Sequence, residues 1–308
     1  MDDNEVQDSV IVGAGPAGLT AALYMARYLR RPVVVHDGSA RAARIPDSFN
    51  VPGFPEGISG ADLLAQMTQQ AEQFGARLVE GQIDRAGREG AGFVLNAADG
   101  RRWRARTLIL ATGITLHQVD MPHELHEAAI RAGVLRYCPI CDGFEYRNKR
   151  IVVVGCDEQG AAEALFMRHF SADITLVPRA FSELDDATRD ALERAGITVI
   201  ERRIARYAPS SDAMVIHLEG LGEPLSFDLM VPGLGVTPRF ELAAQLGVAI
   251  NAKGCCDENA LFDSGVPGLW VAGDVLEGLD QVSVAIGHGA IAATRAHNWL
   301  REQDGETL

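Results

Sequence analysis

Two stretches of the chain share one pattern of apolar and polar positions: a short apolar run, a glycine-rich turn and a longer segment with helical spacing. The first apolar run covers residues 8–12, and its helix is predicted to reach about Arg30. The second begins at Arg150, and its helix is predicted to reach about Phe170. Two such βαβ starts about 140 residues apart predict an α/β protein with duplicated, Rossmann-like nucleotide-binding domains.

Two more apolar runs, at 108–113 and 269–274, predict further strands, and an apolar helix is predicted over 283–300. This last strand and helix resemble the first domain in pattern, so we predict that the chain returns to its first domain near its end. The expected architecture is two stacked domains, the second inserted in the first. The predicted boundaries are 1–116 with 247–308 for the first domain and 117–246 for the second.

Composition and charge narrow the classes of function. The chain has 308 residues, 47% of them hydrophobic, which is enough for two cores. Its formal net charge of -14 argues against nucleic acid or an anionic membrane as a partner. No apolar stretch has the length of a membrane span, and the acidic first residues do not resemble a signal peptide, so we expect a cytoplasmic protein.

The first glycine turn reads Gly13-Ala14-Gly15-Pro16-Ala17-Gly18, which satisfies G-x-G-x-x-G between a predicted strand and a predicted helix. Such a turn brings the backbone close to a pyrophosphate and directs a helix N-terminus at it. The next predicted strand ends at Asp37, 19 residues past Gly18, where a carboxylate would accept hydrogen bonds from ribose hydroxyls. We therefore predict a dinucleotide site here.

The second chemical signal is a C-x-x-C pair, Cys138-Pro139-Ile140-Cys141. Half a zinc site is one interpretation, but no second Cys/His pair with ligand spacing exists, and we predict no metal site. A thioredoxin-type dithiol is another, but the pair is not expected to open a helix near the start of a thioredoxin-sized unit. The third is a dithiol that exchanges electrons with a flavin, and Asp142, which directly follows, is suited to transfer the proton that this exchange needs.

With these motifs in place, the sequence resembles the low-molecular-weight thioredoxin reductase family over nearly its whole length. The resemblance rests on the two motifs above and on residues 50–58, 111–113, 273–275 and Gln281. It implies bound FAD, a homodimer, and a dithiol mounted on the inserted domain. The residues that it implies for FAD are Gly13, Gly15, Pro16, Ala17, Gly18, Asp37, Asn50, Ala111, Thr112, Gly113, Gly273, Asp274 and Gln281.

The resemblance also implies roles for the redox residues. Cys141 would face the flavin, Cys138 would exchange with the substrate, and Asp142 would be the acid/base. His288, on the last predicted helix, is our candidate for an additional base that deprotonates a thiol. The substrate would be a dithiol or disulfide in a small molecule, a peptide or a thioredoxin-like protein.

The second glycine turn departs from the pattern that an NADPH site requires. In Gly155-Cys156-Asp157-Glu158-Gln159-Gly160, an aspartate stands where the middle glycine should be. Of the arginines that grip a 2′-phosphate in such reductases, Arg179 remains, while Ala180 and Leu184 stand in the places of others. We therefore predict a vestigial or repurposed site, at which NADPH binding is impaired.

A branch of the same family, the flavin-dependent dithiol oxidases, closes disulfides and reoxidises its flavin with oxygen. The impaired NADPH turn favours this direction for the present chain. An NADPH-dependent thioredoxin reductase is the main alternative. A flavoprotein with another electron donor, such as ferredoxin or a second flavin, and a flavin redox sensor are further ones. Two minor expectations are that Cys255 and Cys256 are surface or loop thiols and that His126 is exposed to solvent.

Overall fold

The computed structural model describes residues 5–155, 157–179 and 181–306. The chain forms two compact units: unit 1 runs to Thr115 and resumes at Thr237, and unit 2 comprises Leu116–Val236. The chain thus returns to unit 1 ten residues before the predicted position, 247. The reason is that this segment bonds to unit 1: the amide of Arg239 donates to the carbonyl of Gly113, and the side chain of Gln245 donates to the carbonyl of Asp84.

The strands and helices carry the following labels. The strands are β1 (Val6–Val12), β2 (Pro32–His36), β3 (Arg77–Glu80), β4 (Ile83–Glu89), β5 (Gly92–Ala97), β6 (Arg102–Leu110), β7 (Ile114–Leu116), β8 (Ile151–Val154), β9 (Ile174–Val177), β10 (Thr198–Val199), β11 (Ile204–Pro209), β12 (Met214–Leu218), β13 (Leu225–Phe227), β14 (Leu229–Pro232), β15 (Val236–Pro238) and β16 (Leu269–Val271). The helices are α1 (Pro16–Arg27), α2 (Gly60–Gln73), α3 (His123–Arg131), α4 (Pro139–Asp142), α5 (Glu158–Met167), α6 (Asp186–Arg194), α7 (Glu241–Gln245) and α8 (Val282–Gln303).

The central sheet of unit 1 has the order β3-β2-β1-β6-β5-β4, and β16 pairs with the C-terminal half of β6. Strands β1, β2, β3, β6 and β16 are parallel, whereas β5 and β4 form antiparallel pairs at one edge. The centre of this sheet consists of the buried apolar segments 10–12, 33–35, 108–110 and 269–271, as expected for parallel strands that are covered on both faces. Their carboxyl ends therefore lie at one edge, where ligands bind in open α/β sheets.

Helices α1 and α8 pack closely because small residues line their contact. Ala21 and Ala22 of α1 and Ala292 and Ala296 of α8 are fully buried. A Cβ at Gly289 of α8 would lie 2.2 Å from the carbonyl oxygen of Ala17, so a larger residue would force the helices apart. This contact sets the position of α8 against the glycine turn that begins α1.

Unit 2 contains a parallel sheet in the order β10-β9-β8-β14 and an antiparallel sheet in the order β11-β12-β13. Every residue of β8, β9 and β14 is buried. The segment before the dithiol is attached to this parallel sheet, because the amide of Met230 in β14 donates to Val134 and the amide of Arg136 donates to Met230. The sheet thereby anchors the chain just before Cys138.

The predicted α/β class with two Rossmann-like domains is confirmed, with small differences at element ends. Helix α1 ends at Arg27, before the predicted Arg30, since Leu29 has a φ of 61° and cannot continue a right-handed helix. Helix α8 extends to Gln303, three residues past its predicted end. In the ranges that the structure describes, no helix has both the length and the apolar character needed to cross a membrane.

Candidate active site

The first glycine turn is built by close backbone contacts. Gly13 has a φ of 107°, and a Cβ there would lie 2.3 Å from the carbonyl oxygen of Ala111. A Cβ at Gly18 would lie 1.9 Å from the carbonyl oxygen of Gly13. Both glycines are therefore required by packing, and that packing brings Ala111, at the end of β6, against the turn.

Gly15 differs from Gly13 and Gly18 because its surroundings are open. Apart from Gly15 itself and the residues on either side of it in the chain, no described residue has an atom within 4 Å of the position that a Cβ would take. Gly15 caps α1 without a side-chain hydrogen bond, Pro16 begins the helix, and the first turn contains no acid. The amides at such a helix end need partners, and a phosphate supplies them. The space and the donors both fit the pyrophosphate of a dinucleotide.

Asp37 directly follows β2, as predicted for a ribose ligand. Burial favours the neutral acid, but the hydroxyl and amide of Ser39 both donate to Oδ1, and Arg239 lies 3.7 Å from Oδ2. The hydrogen bonds and the positive charge together hold the pKa of Asp37 below its ordinary value. The group is thus an anionic acceptor at neutral pH. Sequence reasoning missed Arg239, which is distant from Asp37 along the chain.

Asn50 and Gln281 are brought together although 231 residues separate them. The side-chain amide of Asn50 donates to Oε1 of Gln281 at 3.0 Å. Gln281 is also the residue at which α8 begins. The two predicted cofactor residues therefore form one polar group at the N-terminus of α8.

Asp274 follows β16 and lies in a charged cluster. Nη1 of Arg41 is 3.1 Å from Oδ2 of Asp274 and 3.9 Å from Oδ2 of Asp280. Burial raises the pKa of Asp274 above its ordinary value, and Arg41 opposes the rise. Burial, together with the charge of Asp274, raises the pKa of Asp280 to about 6. Neither Arg41 nor Asp280 was assigned to the site from sequence.

His288 lies on α8 next to Gly273 and Asp274. Burial lowers the pKa of its imidazole below the ordinary value, so the ring is neutral at pH 7. Its Nδ1 atom is buried and has no hydrogen-bond partner among the described residues. A buried polar atom of this kind requires a partner, and a bound cofactor would supply one. The predicted role of His288 as a thiol base remains a prediction.

The remaining predicted cofactor residues lie at the end of β6. The hydroxyl of Thr112 donates to the carbonyl of Arg239 at 2.6 Å, and Gly113 has a φ of 68°. The carboxyl ends of β1, β2, β6 and β16 thus collect the predicted residues at one edge of the sheet. An open helix N-terminus, an anionic Asp37 and a buried unpartnered nitrogen fit FAD.

In unit 2, Cys138 and Cys141 form a disulfide, with their Cα atoms 5.3 Å apart. Cys138 is the N-cap of α4, and its Sγ accepts a hydrogen bond from the amide of Cys141 at 3.1 Å. The sequence did not predict a helix at this pair, but the four residues of α4 form one. A one-turn helix forms because Pro139, at its first position, has a φ already suited to a helix.

Asp142 is largely buried beside the disulfide. Burial raises the pKa of its carboxyl to about 6, and the charge of Glu145 contributes to the rise. Nε of Arg136, 3.5 Å from Oδ1, opposes it. A carboxyl with this pKa accepts and donates protons near neutral pH, as an acid/base requires.

The second glycine turn keeps the backbone of a dinucleotide site but is closed by an acid. Gly155 has a φ of 144°, and a Cβ at Gly160 would lie 1.7 Å from the carbonyl oxygen of Gly155. Asp157 caps α5, and its Oδ1 accepts from the amide of Gly160 at 2.8 Å. Glu158 occupies the first turn. The carboxylate of Asp157 therefore occupies the amide of Gly160, which would otherwise be available to donate a hydrogen bond to a phosphate.

The surroundings of this turn are also acidic. Glu163, on α5, has its pKa raised to about 7 by burial and by the charge of Asp157. Leu184, in the place of an arginine, is buried in the core of unit 2. Arg179 lies after β9, and its positive charge favours the ionised form of Tyr207. Burial has the larger effect and raises the pKa of Tyr207 to about 12. Cys156 and Ala180 lie outside the described residues.

The expectation that His126 is exposed was wrong, whereas Cys255 and Cys256 do lie in the loop between α7 and β16. His126 is buried, and its Nε2 lies 2.7 Å from the hydroxyl of Tyr137, the residue before Cys138. Cys256 is fully buried, and burial raises the pKa of its thiol to about 12, whereas Cys255 is half-buried. Among the described residues, no group of His, Cys, Asp and Glu side chains is arranged to hold a metal ion.

Comparison with known proteins decides the family. Residues 7–289 match the family described as pyridine nucleotide-disulphide oxidoreductase. The chain belongs to this family. It is therefore an FAD-dependent thiol–disulfide oxidoreductase, and the resemblance inferred from the motifs is confirmed.

Named relatives support the same assignment. A thioredoxin reductase of Mycolicibacterium smegmatis is 32% identical, with 97% of this chain and 98% of that protein covered. The solved thioredoxin reductase of Streptococcus pyogenes is 25% identical, with a TM-score of 0.87, and 97% of this chain and 99% of that chain are covered. The structure of HlmI is 27% identical, with a TM-score of 0.88 and coverages of 98% and 94%.

Proposed function

We propose that this family enzyme oxidises dithiols to disulfides and passes the electrons to oxygen, without NADPH as electron donor. The overall reaction is one dithiol and one O₂ giving one disulfide and one H₂O₂. The observation that carries the proposal is a hydrogen bond at the N-terminus of α5, in which the carboxylate of Asp157 accepts from the amide of Gly160.

The two glycine turns of the chain serve as an internal comparison. At the first turn, Gly15 has no side chain, and the amides of α1 have no side-chain cap. At the second, Asp157 stands at the matching position and already satisfies an amide of α5. A phosphate at the second turn would have to displace this carboxylate and would approach a like charge, which is unfavourable.

The chain's own residues support exchange with a dithiol. A substrate thiol loses its proton as its sulfur attacks Sγ of Cys138, the S–S bond breaks, and Cys141 leaves as a thiolate. Asp142 accepts the proton of the attacking thiol, since its pKa of about 6 leaves it ionised above that pH. The second substrate thiol then attacks the mixed disulfide, so that the substrate leaves as a disulfide and the enzyme holds two reduced cysteines.

FAD bound at the first glycine turn would supply a two-electron carrier between this dithiol and oxygen. The chain provides the pyrophosphate donors at Gly15, the ribose acceptor Asp37, and the polar groups Asn50, Gln281 and Asp274 around the rest of the cofactor. The substrate, which is a small molecule, a peptide or a thioredoxin-like protein, meets Cys138, the cysteine that exchanges with it.

The deciding experiment is anaerobic titration of the purified enzyme with NADPH, NADH and dithiothreitol, followed by absorbance of the flavin. We expect slow, unsaturated bleaching by millimolar NADPH or NADH and complete bleaching by the dithiol. On admission of air, colour should return, with one H₂O₂ formed per dithiol oxidised. Fast, saturable bleaching by micromolar NADPH would refute the proposal.

A second candidate is an NADPH-dependent thioredoxin reductase. The names of the relatives favour it, and so does the backbone of the second turn, which keeps the left-handed Gly155 and the close contact at Gly160. The same titration distinguishes the two, because this candidate requires fast bleaching by NADPH and transfer of electrons to an added thioredoxin. The predicted homodimer is tested separately by sedimentation.

A further inference from the structure

The side chain of Arg136 is held beside Asp142 by contacts inside unit 2. Nε of Arg136 lies 3.5 Å from Oδ1 of Asp142, and Nη1 donates to the carbonyl of Ile130 at 3.2 Å. Its backbone amide donates to Met230 of β14, and 13% of its side chain is exposed. The guanidinium is thus fixed by the sheet and by the end of α3.

We propose that Arg136 is a positioning residue that keeps Asp142 ionised at neutral pH, so that the carboxylate acts as a base when a dithiol attacks the Cys138–Cys141 disulfide. This inference rests on the acid/base role given to Asp142 under the proposed function. Its test measures attack of a dithiol on the oxidised enzyme, so the result can be read whether or not NADPH is the physiological electron donor.

Among the described groups that face Asp142, Arg136 is the cation that stabilises the ionised carboxylate. Glu145, three residues after the end of α4, repels the carboxylate, and the weakly acidic Tyr146 lies nearby. Beyond α5, the ring of Phe170 packs where a Cβ of Gly143 would be, so this side is apolar. Burial and Glu145 favour the neutral acid, and Arg136 is the described group that favours the anion.

The ionised form is the one needed in the disulfide-forming direction. The attacking substrate thiol must lose its proton as its sulfur forms the bond to Sγ of Cys138 and the electron pair of the S–S bond moves to Cys141. A neutral Asp142 has no site for that proton. With a pKa of about 6, most Asp142 is ionised at pH 7, but an upward shift of about one unit would leave only about half of it ionised.

The magnitude follows from the contact. An opposite charge within about 4–6 Å lowers a carboxyl pKa by about 1–3 units. Loss of the charge of Arg136 should therefore move the pKa of Asp142 from about 6 to 7 or above. At pH 7 the ionised fraction, and with it the exchange rate, should fall by about twofold for a shift of about one unit and by about tenfold for a shift of about two units, and the rate should recover at alkaline pH.

The test measures exchange at the dithiol without turnover. Oxidised enzyme is mixed with dithiothreitol under anaerobic conditions, quenched with acid, alkylated and assayed for reduced Cys138 and Cys141 by mass spectrometry, from pH 5 to 9. Arg136→Met removes the charge and keeps the length of the side chain. Arg136→Lys keeps the charge and is the matched control, and Asp142→Asn identifies the limb of the profile that belongs to Asp142.

We expect the Asp142 limb to move about one unit or more to alkaline pH in Arg136→Met and to stay near its wild-type position in Arg136→Lys. An unmoved limb, or an equal fall at every pH, would overturn the proposal and indicate a structural role. A measurement without a substitution at Arg136 uses selective ¹⁵N labelling. The Nε resonance of Arg136 should titrate near pH 6 and should cease to do so in Asp142→Asn, and a flat titration in the wild type also overturns it.

Discussion

Substitution of Asp157 separates the charge of this residue from its capping bond. Asparagine caps a helix about as well as aspartate, so Asp157→Asn should keep the bond to the amide of Gly160 and change the free energy of unfolding by a few tenths of a kcal/mol. The same change removes one negative charge from the turn. Two like unit charges about 5 Å apart repel by about 1–3 kcal/mol at effective dielectric constants between those of water and a protein surface.

That repulsion sets the expected gain. Since 1.4 kcal/mol is tenfold, Asp157→Asn should bind NADPH roughly 5- to 150-fold more tightly than the wild type. Asp157→Gly also frees the amide of Gly160 and should gain at least as much. The loss of a cap to glycine costs only about a few tenths of a kcal/mol, so the variant should fold.

The assay is equilibrium titration with NADPH by calorimetry, together with the rate of anaerobic flavin bleaching, and urea unfolding checks the stability of each variant. Glu158→Gln is the matched control, because Glu158 is a neighbouring acid in the same turn whose side chain does not cap the helix. Its gain should be smaller than that of Asp157→Asn. If neither Asp157 variant binds NADPH better than the wild type, Asp157 is not the obstacle at this turn.

Three further predictions concern the flavin and the dithiol. Gly15→Val fills the open space before α1 and should yield colourless protein, whereas Gly222→Val, at an exposed and uncrowded glycine of unit 2, should purify with full yellow colour. Cys138→Ser should show a thiolate-to-flavin charge-transfer band that Cys141→Ser lacks, and the reverse pattern would exchange the predicted roles of the two cysteines. The imidazole of His288 should titrate below pH 6.5 by NMR, because burial disfavours its cation; a midpoint at or above 6.5 would contradict that cause. Since the unfolded chain then binds the proton more readily, this group should reduce stability as the pH falls through 6.5.

The features of the site that the sequence by itself predicts are those in which the residues lie close together along the chain. The spacing of Gly13, Gly15 and Gly18 predicts the turn because all three residues lie within one strand–turn–helix unit, from β1 to α1. Asp37 follows from the length of the next helix and strand, and the Cys138–Cys141 pair from a spacing of three residues. The replacement of the middle glycine by Asp157 is also visible in the local sequence. The structure adds that its carboxylate accepts a hydrogen bond from the amide of Gly160.

The tertiary structure decided which distant residues meet. Arg41 reaches Asp274 across 233 residues, and Arg239 approaches Asp37 from a segment that the sequence assigned to the other domain. Arg136 becomes a partner of Asp142 because β14 anchors its backbone. His126 is buried because α3 turns it toward Tyr137. The spacing of residues along the chain does not predict such pairs. An arginine at the surface and an arginine in a buried ion pair are the same residue in the sequence, and only the packing of the folded chain distinguishes them.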